Sequence, residues 1–257
     1  FGPFQTDGFR LSPTTVGDAY NASSENYVSW NWKANGSGST NDDGAEDSTV
    51  SVNTDAGFSI VTFTGTGSTT TYGHGLGAVP QIYMTKSRGA TGDWYVTTTL
   101  IDGSVDYLVL NTTAAKTDGS VTAPTSSVFY TGYGSSATAL AYCFAEKENY
   151  SKFGVYTGNG STDGPFIFTG FRPAWVVVKN TDTARAWLTS DSITNPFNVV
   201  DEYLALDQNV AEDTYAWADF VSNGFKIRNT SASLNTSSDV YLYMAFAESP
   251  FKYSNAR

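Results

Sequence analysis

This chain repeats itself, and that limits what it can fold into more than any other feature. The stretch from Ile60 to Lys86 and the stretch from Phe153 to Lys179 coincide at a shift of 93 residues, which places Thr64-Gly65 on Thr157-Gly158, Gly67-Ser68 on Gly160-Ser161, Pro80 on Pro173 and Lys86 on Lys179. The register carries on to Trp94 over Trp187. After a small insertion Tyr107–Leu110 falls on Tyr203–Leu206, Phe129 on Phe225, and Tyr142–Glu146 on Met244–Glu248. Self-similarity of this kind means one structural unit used twice, here a module of about 95 to 100 residues.

A third copy is partial. Asp7–Leu11, Asn21–Ser24 and Tyr27–Trp32 repeat the pattern of Asn223–Ile227, Asn235–Ser238 and Val240–Phe246, the closing hairpin of a module. Phe1 is not a translation start, so an upstream portion outside this chain is expected. A hairpin alone is marginal, so this one is expected to pack on a neighbouring module or subunit. The implied organisation is 1–48 as the partial repeat with a Gly/Ser/Asn/Asp linker over 36–48, 49–149 as the first full module and 150–257 as the second.

Within a module, short runs rich in β-branched and aromatic residues lie between Gly, Asn, Asp and Ser. Strands are predicted at Ser59–Phe63, Gln81–Lys86, Asp93–Thr98, Tyr107–Asn111, Ser127–Tyr130 and Ala137–Ala145. Val199–Leu206 reads as a short helical turn. Tyr241–Phe246 alternates weakly, which predicts a strand covered on both faces. Ser and Thr make up roughly a quarter of the residues, and good helix formers are scarce. The fold class is therefore all-β: tandem antiparallel β-sandwich modules, jelly-roll-like, with a partial N-terminal repeat.

Composition narrows the chemistry. The net charge of −11 and the scattered 14 Lys and Arg oppose phosphate backbones, which excludes nucleic acid as a partner. No apolar run approaches the roughly 18 residues of a membrane span, and no signal peptide is visible. Cys143, the one cysteine, sits in an apolar run and reads as a buried small hydrophobe. His74, the one histidine, lies in the glycine-rich Gly73–Gly77 and reads as structural; a direct alignment places it opposite Ile167. The acidic stretch Asp42, Asp43, Glu46 and Asp47 is either a solvated linker or a calcium site, without EF-hand spacing. No metal site and no cofactor is assigned. Asp93, Asp102, Asp106, Asp201, Glu202 and Asp219 supply carboxylates, but no spacing singles out a glycosidase pair.

Residues kept in both copies serve the shared fold. Trp94 and Trp187, Phe129 and Phe225, Phe144 and Phe246 are thus the expected core, with Glu146 and Glu248 bonded at the ends of buried strands. Aromatics that differ between the copies are the candidates for a surface role. Tyr130 and Tyr133 align with Lys226 and Asn229, and Tyr215 and Trp217 lie in a loop-like segment without a counterpart. These rings either stack on sugars or fill a seam between modules or subunits.

The strings Tyr27–Gly36, Gly73–Gly77 followed by Pro80 and Lys86, and Tyr150–Gly154 through Tyr156–Gly160 to Gly170–Ala174 resemble a repeated β-domain of tailed-bacteriophage virion proteins, especially those of marine phages. The resemblance runs to the closing Phe251–Arg257. It implies a non-enzymatic virion protein of surface or tail-fibre type, located on the particle, assembling with other virion subunits as a homo-oligomer, with a trimer expected for a fibre. Adhesion to a bacterial surface polysaccharide is its further expected role. The alternatives are a polysaccharide depolymerase, a capsid decoration protein, and a secreted carbohydrate-binding module.

Overall fold

The computed structural model describes residues 4–5, 8–11, 22 and 24–250. Asp7, Asn21, Ser23 and the closing Phe251–Arg257 lie outside the described residues. The chain divides into two compact units, Phe1–Trp32 and Lys33–Arg257. In the first, β1 (Phe4–Gln5) and β2 (Gly8–Phe9) pair antiparallel with Phe4 opposite Phe9.

The larger unit holds both modules, and every strand pair in it is antiparallel. The first module contains β3 (Ser39–Asn41), β4 (Ser48–Asn53), β5 (Phe58–Thr64), β6 (Thr69–Gly73), β7 (Ile82–Ser87), β8 (Tyr95–Thr98), β9 (Asp106–Val109), β10 (Thr117–Asp118), β11 (Val128–Gly132) and β12 (Thr138–Phe144). Its main sheet has the order β10-β9-β8-β7-β12-β5-β4-β3, and β11-β6 forms a second layer. The second module contains β13 (Ser151–Thr157), β14 (Phe166–Phe168), β15 (Pro173–Asn180), β16 (Leu188–Asp191), β17 (Val200–Ala205), β18 (Asp213–Val221), β19 (Gly224–Ile227) and β20 (Val240–Ala247). Its order is β13-β20-β15-β16-β17-β18-β19-β14. No helix occurs among the described residues.

The ladders carry the repeat in their registers. Phe58 to Thr64 pairs with Phe144 to Thr138 in the first module, and Ser151 to Thr157 with Phe246 to Val240 in the second. Tyr107 faces Thr117 as Tyr203 faces Asp213. Phe129 faces Tyr72 as Phe225 faces Ile167. The eight strands of the second module thus correspond to β5, β6, β7, β8, β9, β10, β11 and β12 in chain order. The modules differ at β18. It is long enough to bond β17 at one end and β19 at the other, so the sheet runs on into the second layer, whereas the two-residue β10 stops and leaves β11-β6 separate.

Each sandwich closes around aromatic side chains reaching between its layers. In the first, Phe63 packs on Tyr72 at 4.1 Å, and Phe129 lies 5.3 Å from Tyr83. In the second, Phe225 meets Tyr243 at 5.5 Å and stacks with Trp217 at 6.4 Å. The repeated glycines have a backbone reason. Gly67 and Gly160 both have positive φ, +88° and +67°, where a side chain is strained. At Gly65 and Gly158 a Cβ would run into the facing backbone at Gly134 and Thr236.

Several expectations need correction. Residues 39–48 are no linker: β3 pairs with β4 and Glu46 bridges Tyr72, so they belong to the first module. Val199–Leu206 is not helical. Burial of Val200 and pairing of β17 on both sides override the local pattern. Tyr27–Trp32 joins no ladder among the described residues. Closing strands β12 and β20 each lie between two neighbours made earlier in the same module, and among the described residues Tyr27–Trp32 has no such neighbours. Tyr241–Phe246 is buried throughout, as a doubly covered strand should be.

Because Trp217 is wholly buried between Phe220 and Phe225, Trp217→Ala should lower unfolding free energy by about 3–5 kcal/mol. Tyr130→Ala on half-exposed β11 should cost about 1 kcal/mol or less. Chemical denaturation of the two variants checks both; equal losses would contradict this packing.

Candidate functional site

The modules are locked together by backbone carbonyls of one and side chains of the other. The indole Nε1–H of Trp187 donates to the Val109 carbonyl at 3.0 Å. The Lys179 ammonium donates to the carbonyls of Thr113 at 3.1 Å and Asn180 at 2.9 Å, and the Lys116 N–H donates to the Thr181 carbonyl at 2.8 Å. The rings of Phe144 and Phe246, equivalent residues of the two copies, meet each other at 6.2 Å. Phe144 also packs on Phe153.

Trp187 is therefore buried, at 1% exposure, by the seam. Trp94, its equivalent, is only half-buried and stacks on Tyr142 at 5.8 Å. The expectation of a core role for Trp94 is corrected to this rim position. Its local bonds are still those of Trp187: the Trp94 N–H donates to Asn111 Oδ1 as the Trp187 N–H donates to Asp207 Oδ1. Phe129 and Phe225 are true core residues, with no exposure. Phe144 and Phe246 are buried at the seam.

Burial lowers the pKa of Lys179 from 10.5 to about 8, and the Asp207 carboxylate opposes that shift. Its copy in the first module, Lys86, is half-exposed and bonds the Gly92 carbonyl. A lysine is tolerated in the seam because its aliphatic stem is apolar and its head reaches carbonyl oxygens.

Beside the seam lies a groove of about 720 Å³, lined among others by Thr113 of the first module and by Arg185, Tyr203, Gln208, Glu212 and Tyr215 of the second. Tyr203 and Tyr215 meet edge to face at 4.5 Å. The Tyr203 hydroxyl donates to Asp213 Oδ2 at 2.8 Å, which holds the Asp213 carboxyl below its ordinary range. Desolvation pushes the Tyr215 hydroxyl up to about 12. Desolvation, then the neighbouring Glu202 and Asp191, raise the Glu212 carboxyl. A half-buried aromatic pair ringed by a guanidinium, an amide and carboxylates can stack on a sugar ring and bond its hydroxyls.

Of the four predicted surface aromatics only Tyr215 lines this groove. Trp217 is corrected: it is a core residue, packed against Phe220 and Phe225 where the β17–β18 register shifts and 217 and 218 are both buried. The segment holding both is not a loop, and its counterpart is β10. Tyr130 and Tyr133 belong to the first module, where Tyr133 is half-buried and packs edge to face on Phe63 at 5.8 Å. Tyr203, Arg185, Gln208 and Glu212 were not singled out by sequence. The one available signal was the cluster of polar residues that departs from the other copy after Leu206.

His74 proves structural, with a different partner from the one the direct alignment gives. Its N–H donates to the Ser127 carbonyl as that of Thr169 donates to Asn223. Its Nδ1 accepts the Leu76 N–H at 3.2 Å as Thr169 Oγ1 accepts the Phe171 N–H at 3.4 Å. The equivalent of His74 is therefore Thr169, not Ile167. Asp102, Asp106 and Asp118 all bind Lys116 within 3.0 Å, and Asp219 binds Arg228 at 2.6 Å, so these carboxylates are held in ion pairs. Among the described residues no group of three or more His, Cys, Asp or Glu is arranged to hold a metal ion.

The fold and seam define a tandem β-sandwich protein. A family model described as a domain of unknown function (DUF7483) matches residues 2–250, and the chain belongs to that family. No curated protein and no solved structure matches it.

The Lys179 shift fixes a pH dependence. With the folded pKa depressed, both states hold the proton below about pH 8 and burial of the charge opposes folding; between about 8 and 10.5 only the unfolded chain holds it. Stability should then climb with pH by up to about 1.4 kcal/mol per unit. The climb should level off near pH 9, the ordinary thiol value, where the Cys143 thiol ionises in the unfolded chain but not when buried, and turn down near pH 10, where unfolded tyrosines ionise and buried Tyr83 and Tyr156 do not. Denaturant midpoints at pH 7.5, 8.5 and 9.5 check this, and Lys179→Met should flatten the rise.

Proposed function

We propose that this protein is a structural component of a tailed-phage particle surface, of fibre or decoration type, that displays a glycan-binding groove. The observation carrying this reading is the seam: a buried tryptophan and a buried lysine of one module fastened to carbonyls of the other. Side chains placed this way stiffen the modules against each other, which suits a load-bearing surface part. The resemblance to repeated β-domains of phage virion proteins supports the particle setting. The groove lined by Tyr203, Tyr215, Arg185 and Glu212 supports sugar recognition, and its acidic character favours neutral or cationic glycans over anionic ones.

Antibodies against the chain should label tailed particles purified from the source that encodes it, and the chain should copurify with particle proteins. Recovery of the chain from infected cells but never from particles would reject the structural reading. On a panel of neutral bacterial polysaccharides, Tyr215→Ala should weaken binding about tenfold or more under conditions where circular dichroism shows the variant folded, since Tyr215 also packs against the core. Unchanged binding would remove the groove from the proposal.

A further inference from the structure

In the first module, the segment ahead of β5 closes one side of the sandwich. β4 pairs along β5 from Ser48 opposite Phe63 to Asn53 opposite Phe58. The connection before β4 crosses to the second layer. There the Glu46 N–H donates to the Thr71 carbonyl at 3.2 Å, the Ala45 N–H to Thr71 Oγ1 at 2.8 Å, and the Ser48 hydroxyl to the Gly73 carbonyl at 2.8 Å. One segment thereby covers the edge of β5 and the edge of β6 together.

The second module has the same two strands, β13 for β5 and β14 for β6, without that cover. The strand ahead of β13 in sequence is β12, which is already placed inside the first module between β5 and β7. Among the described residues β20 is the one strand paired with β13 and β19 the one paired with β14; on the other side of β13 the preceding turn bonds only its first residues, the Ser151 N–H donating to the Lys147 carbonyl at 2.9 Å and the Phe153 N–H to Glu146 Oε2 at 3.4 Å. Along these edges Val155, Phe166 and Phe168 are 36%, 46% and 61% exposed. An open edge with apolar side chains is a template for strand addition.

Charge points to what would fit. The covering segment of the first module carries Asp42, Asp43, Glu46 and Asp47 beside β6, whose partner β11 has Tyr130 opposite Thr71. In the second module Lys226 stands in the place of Tyr130, opposite Phe166, and Arg228 follows just beyond β19. Both approach the exposed Asp163, at 2.8 and 3.7 Å. At these positions the open side thus has Lys226, paired with the exposed Asp163, and Arg228, paired with Asp219, where the covered side has Tyr130. The 39–53 segment of a second copy could fill it only by leaving its own first module.

We propose that the open edges of β13 and β14 dock an extended segment of another polypeptide, an acidic turn leading into a strand that alternates valine with serine or threonine, as 42–52 does within the first module. This inference does not depend on the particle reading.

The probe is a labelled synthetic peptide of residues 39–53, titrated into the full chain and followed by anisotropy and by hydrogen exchange. Saturable 1:1 binding with new protection at 155–157 and 166–168 is expected. Affinity should fall about tenfold when the four acidic residues of the peptide are made amides or when Lys226→Glu is introduced, and it should fall with salt. Phe168→Asp, on the exposed edge, provides a second variant if Lys226→Glu disturbs folding. Absence of binding at millimolar peptide, equal binding of a scrambled peptide, or protection confined to 58–64 would each overturn the proposal.

Discussion

The donation from the Trp187 indole N–H to the Val109 carbonyl, with the Lys179 ammonium on the Thr113 carbonyl close by, decides how the rest of the larger unit is arranged. The end of β9 and the connection from it to β10 belong to the first module and cover Trp187 and Lys179 of the second. Through that double use Trp187 and Lys179 lose contact with water while their copies, Trp94 and Lys86, stay half-exposed. The same pair of residues in the same local backbone therefore has two environments, set by what lies across the seam. Without those carbonyls the buried indole N–H would have no acceptor and the buried ammonium would keep only the Asn180 carbonyl, which costs more than the bonds themselves contribute.

Duplication also explains why the modules diverge where they do. Positions that keep a register, such as Phe129 and Phe225 or Gly67 and Gly160, answer to constraints internal to one sandwich. Positions that change answer to the outside. In the first module a segment closes the β5 and β6 side, and among the described residues no strand does so in the second, beside Lys226 and Arg228. The second module in turn extends β18 and builds the groove around Tyr203 and Tyr215, where the first has only the short β10.

Much of this was legible from the residues. Strands ended at Gly, Asn and Asp as turn chemistry requires, and six of the predicted strands lie within two residues of those found. Core positions shared by both copies could be recognised because packing inside one sandwich constrains both alike. Trp217 was misplaced because the direction of a side chain follows from strand register, and the register of β18 comes from pairing with β19, far away in the chain. Residues 36–48 looked like a linker because a Ser/Thr/Gly/Asp strand has no apolar face; its place is fixed by hydrogen bonds to Thr71 and Gly73 instead. The groove was reached through Tyr215 alone, since Arg185, Gln208 and Glu212 converge only when β17 and β18 are paired.

The central claim is that the two modules form one body through the carbonyls of the first and the buried side chains of the second. Native-state hydrogen exchange of the tryptophan indoles addresses it directly. If the account holds, the Nε1–H of Trp187 exchanges as slowly as the amides of β15 and β20, and Leu108→Gly, next to the Val109 carbonyl, speeds it. Exchange of the Trp187 indole at the rate of a free indole in the intact chain would contradict it.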